Sequence, residues 1–225
     1  GPPMTATLAR PAIVSTESAR RLPRLALLVF CAAYVLPGLF GRDPWKNADI
    51  TAFGYMSSLA QGESPWLDPR IAGLPAEGGL LPYWLGALFI DLLGPWLGAP
   101  LAARLPFALL LLGVLALCWY GCYHLARTDA AQPISLPFGG GASAIDYSRA
   151  VADGSVLALM ATLGLLQLGH ETTPELVQLF GTALMLYAMA ASPFRGVAAQ
   201  IAVLAALPIL ALSAARSIAL ALGAG

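Results

Sequence analysis

Charge is what this chain has least of. Asp, Glu, Lys and Arg make up 11% of its 225 residues and hydrophobic residues 58%, whereas a soluble domain carries roughly 25% charged residues. Such a chain cannot cover itself with a polar surface, so it reads as an all-α integral membrane protein. A formal net charge of zero gives no basis for a nucleic-acid partner. The three cysteines, Cys31, Cys118 and Cys122, all lie in apolar runs, and an odd number so placed argues against a disulfide framework. Cys118 and Cys122 share a helix face, but no third ligand type stands near them except His124, and they read as packing residues. Internal repeats and heptads are missing. Gly139-Gly140-Gly141 lacks the Lys-Ser/Thr that completes a phosphate-binding loop, and His170-Glu171 meets Pro174 where a zinc-protease motif needs a second histidine. Nothing calls for a metal or a cofactor.

What is present is a series of long apolar runs. Residues 22–40, 101–125, 150–169, 176–191 and 197–215 each approach the roughly 20 residues that cross a bilayer, which predicts about five transmembrane helices. Residues 217–225 are apolar but too few to cross, so a partial sixth helix and a longer native chain are expected. Residues 1–3 read as a tag remnant. The rest of 1–21, with Arg10, Arg20 and Arg21, reads as a basic tail. Positive charge before the first span puts that tail in the cytoplasm. Residues 22–225 then form one membrane domain.

The polar residues concentrate in 41–98, which this topology puts in an extracytoplasmic loop. Residues 49–61 have helical character without a clean apolar stripe, and predict a helix lying along the membrane surface. Residues 64–79 are rich in Pro and Gly, as turns are. Residues 80–97 are apolar but carry Pro82, Asp91, Gly94 and Pro95, and are expected as a juxtamembrane helix rather than a span. Asp153, near the start of its run, is expected to cap that helix or to meet headgroups.

The order of these features resembles the GT-C polytopic glycosyltransferases, in particular the aminoarabinose transferase and protein mannosyltransferase branch. The residues that carry the likeness are Asp43-Pro44-Trp45-Lys46-Asn47-Ala48-Asp49, Ala52-Phe53-Gly54-Tyr55-Met56, Gly73-Leu74-Pro75-Ala76-Glu77-Gly78-Gly79 and Pro82-Tyr83-Trp84. The chain departs from that family at Asp49-Ile50, where Asp-Glu is common, and at Glu77-Gly78-Gly79, where Glu-Lys-Pro is common. The resemblance implies an inverting transfer of a sugar from a polyprenyl-phosphate donor to a glycan, lipid A or protein hydroxyl, at the outer face of a bacterial inner membrane. It also implies that the family's later spans are needed for activity.

Such a reaction needs a base for the acceptor hydroxyl and cations for the leaving phosphate. On the resemblance, Asp49 is the general base; on position alone it is equally a helix N-cap. Asp43 and Asp68, each next to a proline, read first as turn residues. Lys46, Arg42 and Arg70 are the candidate phosphate contacts. Glu77, Tyr83, His170 and Glu171 are candidate substrate contacts, with interfacial anchoring the competing role for Tyr83. The competing functions are a polytopic transporter, whose intramembrane acids would be Asp91 and Asp153, and a noncatalytic lipid-binding membrane module.

Overall fold

The structure, a computed structural model, describes residues 12–19, 22–39, 47–76, 79–166 and 174–213. Seven α-helices dominate: α1 (Arg24–Leu39), α2 (Asn47–Ala60), α3 (Leu81–Leu97), α4 (Ala99–Ala126), α5 (Ala144–Leu166), α6 (Pro174–Ala191) and α7 (Gly196–Ser213). Strands β1 (Arg70–Ile71) and β2 (Leu74–Pro75) form a small antiparallel hairpin. Its two turn residues, Ala72 and Gly73, have φ of 49° and 82°, the backbone that a two-residue hairpin loop requires. The expected partial sixth span lies outside the described residues.

Two helices, α4 with 28 residues and α7 with 18, are long and apolar enough to cross a membrane. At 1.5 Å per residue α4 is about 42 Å long. The apolar stretches of α1, α3 and α6 are shorter. The helices begin and end for local reasons. Pro82 and Pro100 sit in the first turns of α3 and α4, where the missing N–H would have had no partner. Between these helices stands a single residue, Gly98, with φ 84° and ψ 147°, a conformation open essentially to glycine alone. Its N–H closes α3 on the Gly94 carbonyl at 2.8 Å, and its carbonyl opens α4 by accepting from Ala102 at 3.0 Å.

The bundle is built on α4. Gly113 lies against Phe180 and Gly121 against Tyr187, so α4 and α6 run parallel. Gly181 lies against Leu210, and Gln178 Nε2 donates to the Ser213 carbonyl at 2.8 Å, so α7 returns antiparallel to α6. Trp119 meets Asp153 and Gln132 meets Ser148, so α5 runs antiparallel to α4. Alanine fills the α6–α7 contact, with Ala188, Ala199 and Ala202 buried together. The large side chains of α7, namely Val197, Ile201, Leu204 and Leu207, are each more than half exposed. Small residues inside and large apolar ones outside is the reverse of a water-soluble helix, and is the arrangement of helices packed in lipid. The hydroxyls of Ser155, Thr162 and Thr182 donate to carbonyls four residues back at 2.8–2.9 Å, which satisfies them without water.

Several expectations are corrected. The segment 49–61 does have an apolar stripe: Ala52, Tyr55, Met56 and Leu59 are buried, at helical spacing, and α2 packs this face on α3. Residues 81–97 do form the expected helix, unbroken at Pro95 and too short to count as a span. The helix containing Asp153 starts at Ala144 rather than at 150, because Ser143 caps it: its Oγ accepts from the Asp146 N–H at 3.1 Å and pairs with the Asp146 carboxylate at 2.9 Å. Asp153 therefore sits in the third turn of α5 and caps nothing. The part of the basic tail that is described, 12–19, lies on the α4–α5 loop. Thr16 N–H donates to the Gly140 carbonyl at 2.9 Å, Ile134 N–H to that of Ala12 at 3.0 Å, and Ala142 N–H to that of Val14 at 3.2 Å.

Gly79 joins the polar segment to the bundle. A Cβ there would run into the backbone carbonyl of Leu212 at the end of α7, and backbone cannot turn aside as a side chain can. Gly79→Val is expected to cost about 1–3 kcal/mol, read as a lowered thermal midpoint in detergent. Gly154→Ala is the control: open space surrounds that helical glycine, and the change is expected to be neutral or mildly stabilising. Equal midpoints for Gly79→Val and the parent would show that this contact is not made.

Candidate functional site

Residues 47–76 and 79–97, between α1 and α4, pack together as a unit. Tyr55 meets Tyr83 edge-on with ring centroids 5.4 Å apart, and Met56 fills the space that Gly86 leaves on α3. The buried hydroxyl of Ser58 pairs with that of Ser64 at 2.9 Å and donates to the Arg70 carbonyl at 2.8 Å. Trp84 Nε1 donates to the Trp66 carbonyl at 2.6 Å, and Ala76 N–H to that of Pro69 at 2.9 Å. These bonds hold the Pro-rich stretch 61–76 against α2 and α3.

Asp49 occupies the third position of α2, in the first turn, where a negative charge is stabilised by the helix dipole. Its side chain is outside the described ones. Arg70 stands on β1; its Nε donates to Asp68 Oδ2 at 2.8 Å and its Nη1 to the Gly73 carbonyl at 3.1 Å. Arg70 thus braces the hairpin turn while 47% of its side chain remains exposed. Tyr83 is only 5% exposed, and its ring is part of the α2–α3 core. Arg42, Lys46, Glu77, His170 and Glu171 lie outside the described residues. Among the described residues, no three His, Cys, Asp or Glu side chains gather as metal ligands would.

The opposite end of the bundle holds a feature that the sequence reading missed. A cavity of about 940 Å³ opens between α1, α4 and α5. Asp153, 6% exposed, stands in its wall and accepts hydrogen bonds from Trp119 Nε1 at 2.8 Å and from the Leu22 N–H at 2.9 Å. Trp119 is the start of an aromatic row. It stacks on Tyr123 at 5.4 Å, while His124, packed edge-on against Tyr123, stacks on Phe194 at 5.5 Å. The signal was available as Trp119-Tyr120 and Tyr123-His124 in the last two turns of a long apolar helix, where interfacial aromatics belong.

Comparison with protein-family models, curated proteins and solved structures gives no significant match.

Proposed function

We propose that the chain is an integral protein of a bacterial inner membrane, crossed by α1, α4, α5, α6 and α7, with its N-terminus in the cytoplasm. The inverted packing of α7, alanine inward and large apolar residues outward, supports insertion. We further propose that it serves a polyprenyl-phosphate-dependent glycosyltransferase at the outer face. The observation that carries this reading is that residues 47–76 and 79–97 form a braced unit between two apolar helices, with an acid in the first turn of its leading helix. In the reaction, Asp49 takes the acceptor hydroxyl proton as the oxygen attacks the anomeric carbon. The carbon–phosphate oxygen bond breaks, and the phosphate leaves with its electron pair beside Arg42, Lys46 and Arg70. The cavity at the other end favours a second reading, a noncatalytic lipid-binding module. The transporter reading loses support at Asp153, whose carboxylate already accepts two hydrogen bonds.

Two measurements test these readings. Alkaline carbonate should leave the chain in the membrane pellet; release into the supernatant would end the membrane reading. The detergent-purified chain should bind a short-chain polyprenyl phosphate saturably, and Arg70→Ala should weaken binding about fivefold, the worth of one exposed ionic contact. Its unfolding free energy should move by no more than about 1 kcal/mol. Absence of saturable binding counts against the enzyme reading, and unchanged affinity in Arg70→Ala would confine that residue to bracing the hairpin.

A further inference from the structure

The cavity between α1, α4 and α5 has a polarity gradient along all three helices. At one end stand Arg24 on α1, Tyr120 on α4 and Arg149 on α5. Below them the walls are Leu27, Leu28, Leu112, Leu115 and Val156. The trough from Arg24 to Cys31 spans seven residues of α1, about 11 Å along the axis. No hydrogen bond or ion pair within the described residues engages Arg24 or Arg149, although Arg149 is half-buried. Asp153 is the one acid in the lining, and its charge is met by Trp119 and the Leu22 N–H. Counting it, the lining keeps one net positive charge. Arg24 is also the first residue of α1, so the positive end of that helix dipole stands at the same mouth.

We propose that this cavity holds one acidic phospholipid of the cytoplasmic leaflet, with its phosphate at the mouth by Arg24 and Arg149 and an acyl chain in the trough below. Three observations select that occupant. The cations demand an anion. The apolar walls demand a hydrocarbon attached to it, which a free phosphate lacks. The volume, near the top of the roughly 300–1,000 Å³ range of small-molecule sites, exceeds what an anion alone would fill. Basic pockets between membrane helices on the cytoplasmic side bind acidic headgroups on the same physical grounds. The proposal rests on the membrane reading of this chain and not on the transferase reading. The site lies at the opposite end of the bundle from Asp49, and its lipid is structural rather than a sugar donor.

The experiment uses the whole chain in lipid nanodiscs of phosphatidylcholine and phosphatidylglycerol, followed by release into detergent and native mass spectrometry. One phosphatidylglycerol should remain bound, at least tenfold preferred over phosphatidylcholine. Arg24→Gln with Arg149→Gln should lower its retention about 30-fold, the worth of two cations near a membrane surface. Helicity should be unchanged, since neither side chain is bonded within the described residues. Ala116→Phe, which fills the trough, should expel both lipids. Added inorganic phosphate should not displace the lipid; displacement by phosphate would overturn the lipid assignment. So would equal retention of the two lipids, or full retention in the double or the filling variant. Failure to enter nanodiscs at all would instead overturn the membrane reading, and polyprenyl-phosphate binding should survive all three substitutions.

Discussion

On the proposed transferase reading, Asp49→Asn is expected to slow sugar transfer at least about 100-fold while leaving the protein folded. The substitution keeps the shape and hydrogen-bonding oxygen that a first-turn residue of α2 offers the helix. What it removes is the capacity to take a proton. General-base catalysis contributes about 10²–10⁴-fold, so kcat should fall by that factor with KM nearly unchanged, because the lost interaction is made only in the transition state. The assay is transfer of a labelled sugar from a polyprenyl-phosphate donor in membranes expressing the protein. Transfer at the parent rate would remove Asp49 from the mechanism. Asp68 makes a useful contrast. Its carboxylate holds Arg70 at 2.8 Å, so Asp68→Asn should act through the hairpin, on donor affinity rather than on kcat.

Asp153→Leu is expected to cause the largest loss of stability. The buried carboxylate serves two donors, Trp119 Nε1 and the Leu22 N–H, on α4 and just before α1. Leucine has about the right volume but accepts neither. A buried donor left unmatched costs about 1–3 kcal/mol, so the pair should cost about 2–6 kcal/mol. Asp153→Asn retains one carbonyl oxygen and should lose about half as much. Trp119→Phe removes one of the orphaned donors, so combining it with Asp153→Leu should cost less than the sum of the two single changes, the sign of a direct contact. Thermal midpoints in detergent give the energies. Faster tryptic cleavage around Arg24 in Asp153→Leu would report release of the N-terminal segment. A fully stable Asp153→Leu protein would contradict the arrangement.

The helices that hydrophobicity alone defines were legible in the sequence to within a few residues. The run read as 101–125 is α4 at Ala99–Ala126, and that read as 197–215 is α7 at Gly196–Ser213. Elsewhere the outcome depended on which residues carry the signal. The stripe of α2 went unread because its buried face includes Ala52 and Tyr55 beside Met56 and Leu59, and neither alanine nor tyrosine marks a core by hydropathy. The start of α5 is not legible from hydropathy, because Ser143, Ala144, Ile145 and Asp146 precede the apolar run 150–169, although Ser and Asp three apart are a capping signal. Of the candidate site, Arg70 and Tyr83 have described side chains, and Tyr83 proved to be core because its partner Tyr55 lies 28 residues earlier. The cavity by Asp153 was beyond reach for a stronger form of that reason. Its walls come from three helices, and its key bond joins residues 131 apart; no local pattern encodes such a meeting.

That separation also sets a clock. Leu22 leaves the ribosome 131 residues ahead of its acceptor on Asp153. At a synthesis rate of about 5–20 residues per second, the interval is about 7–26 s. The backbone pairing of Thr16 with Gly140, 124 residues apart in the side-chain bond that accompanies it, waits almost as long. Through that interval the leading end of α1 stays unfastened. The leading end of α1 is thus secured only once α5 has been made.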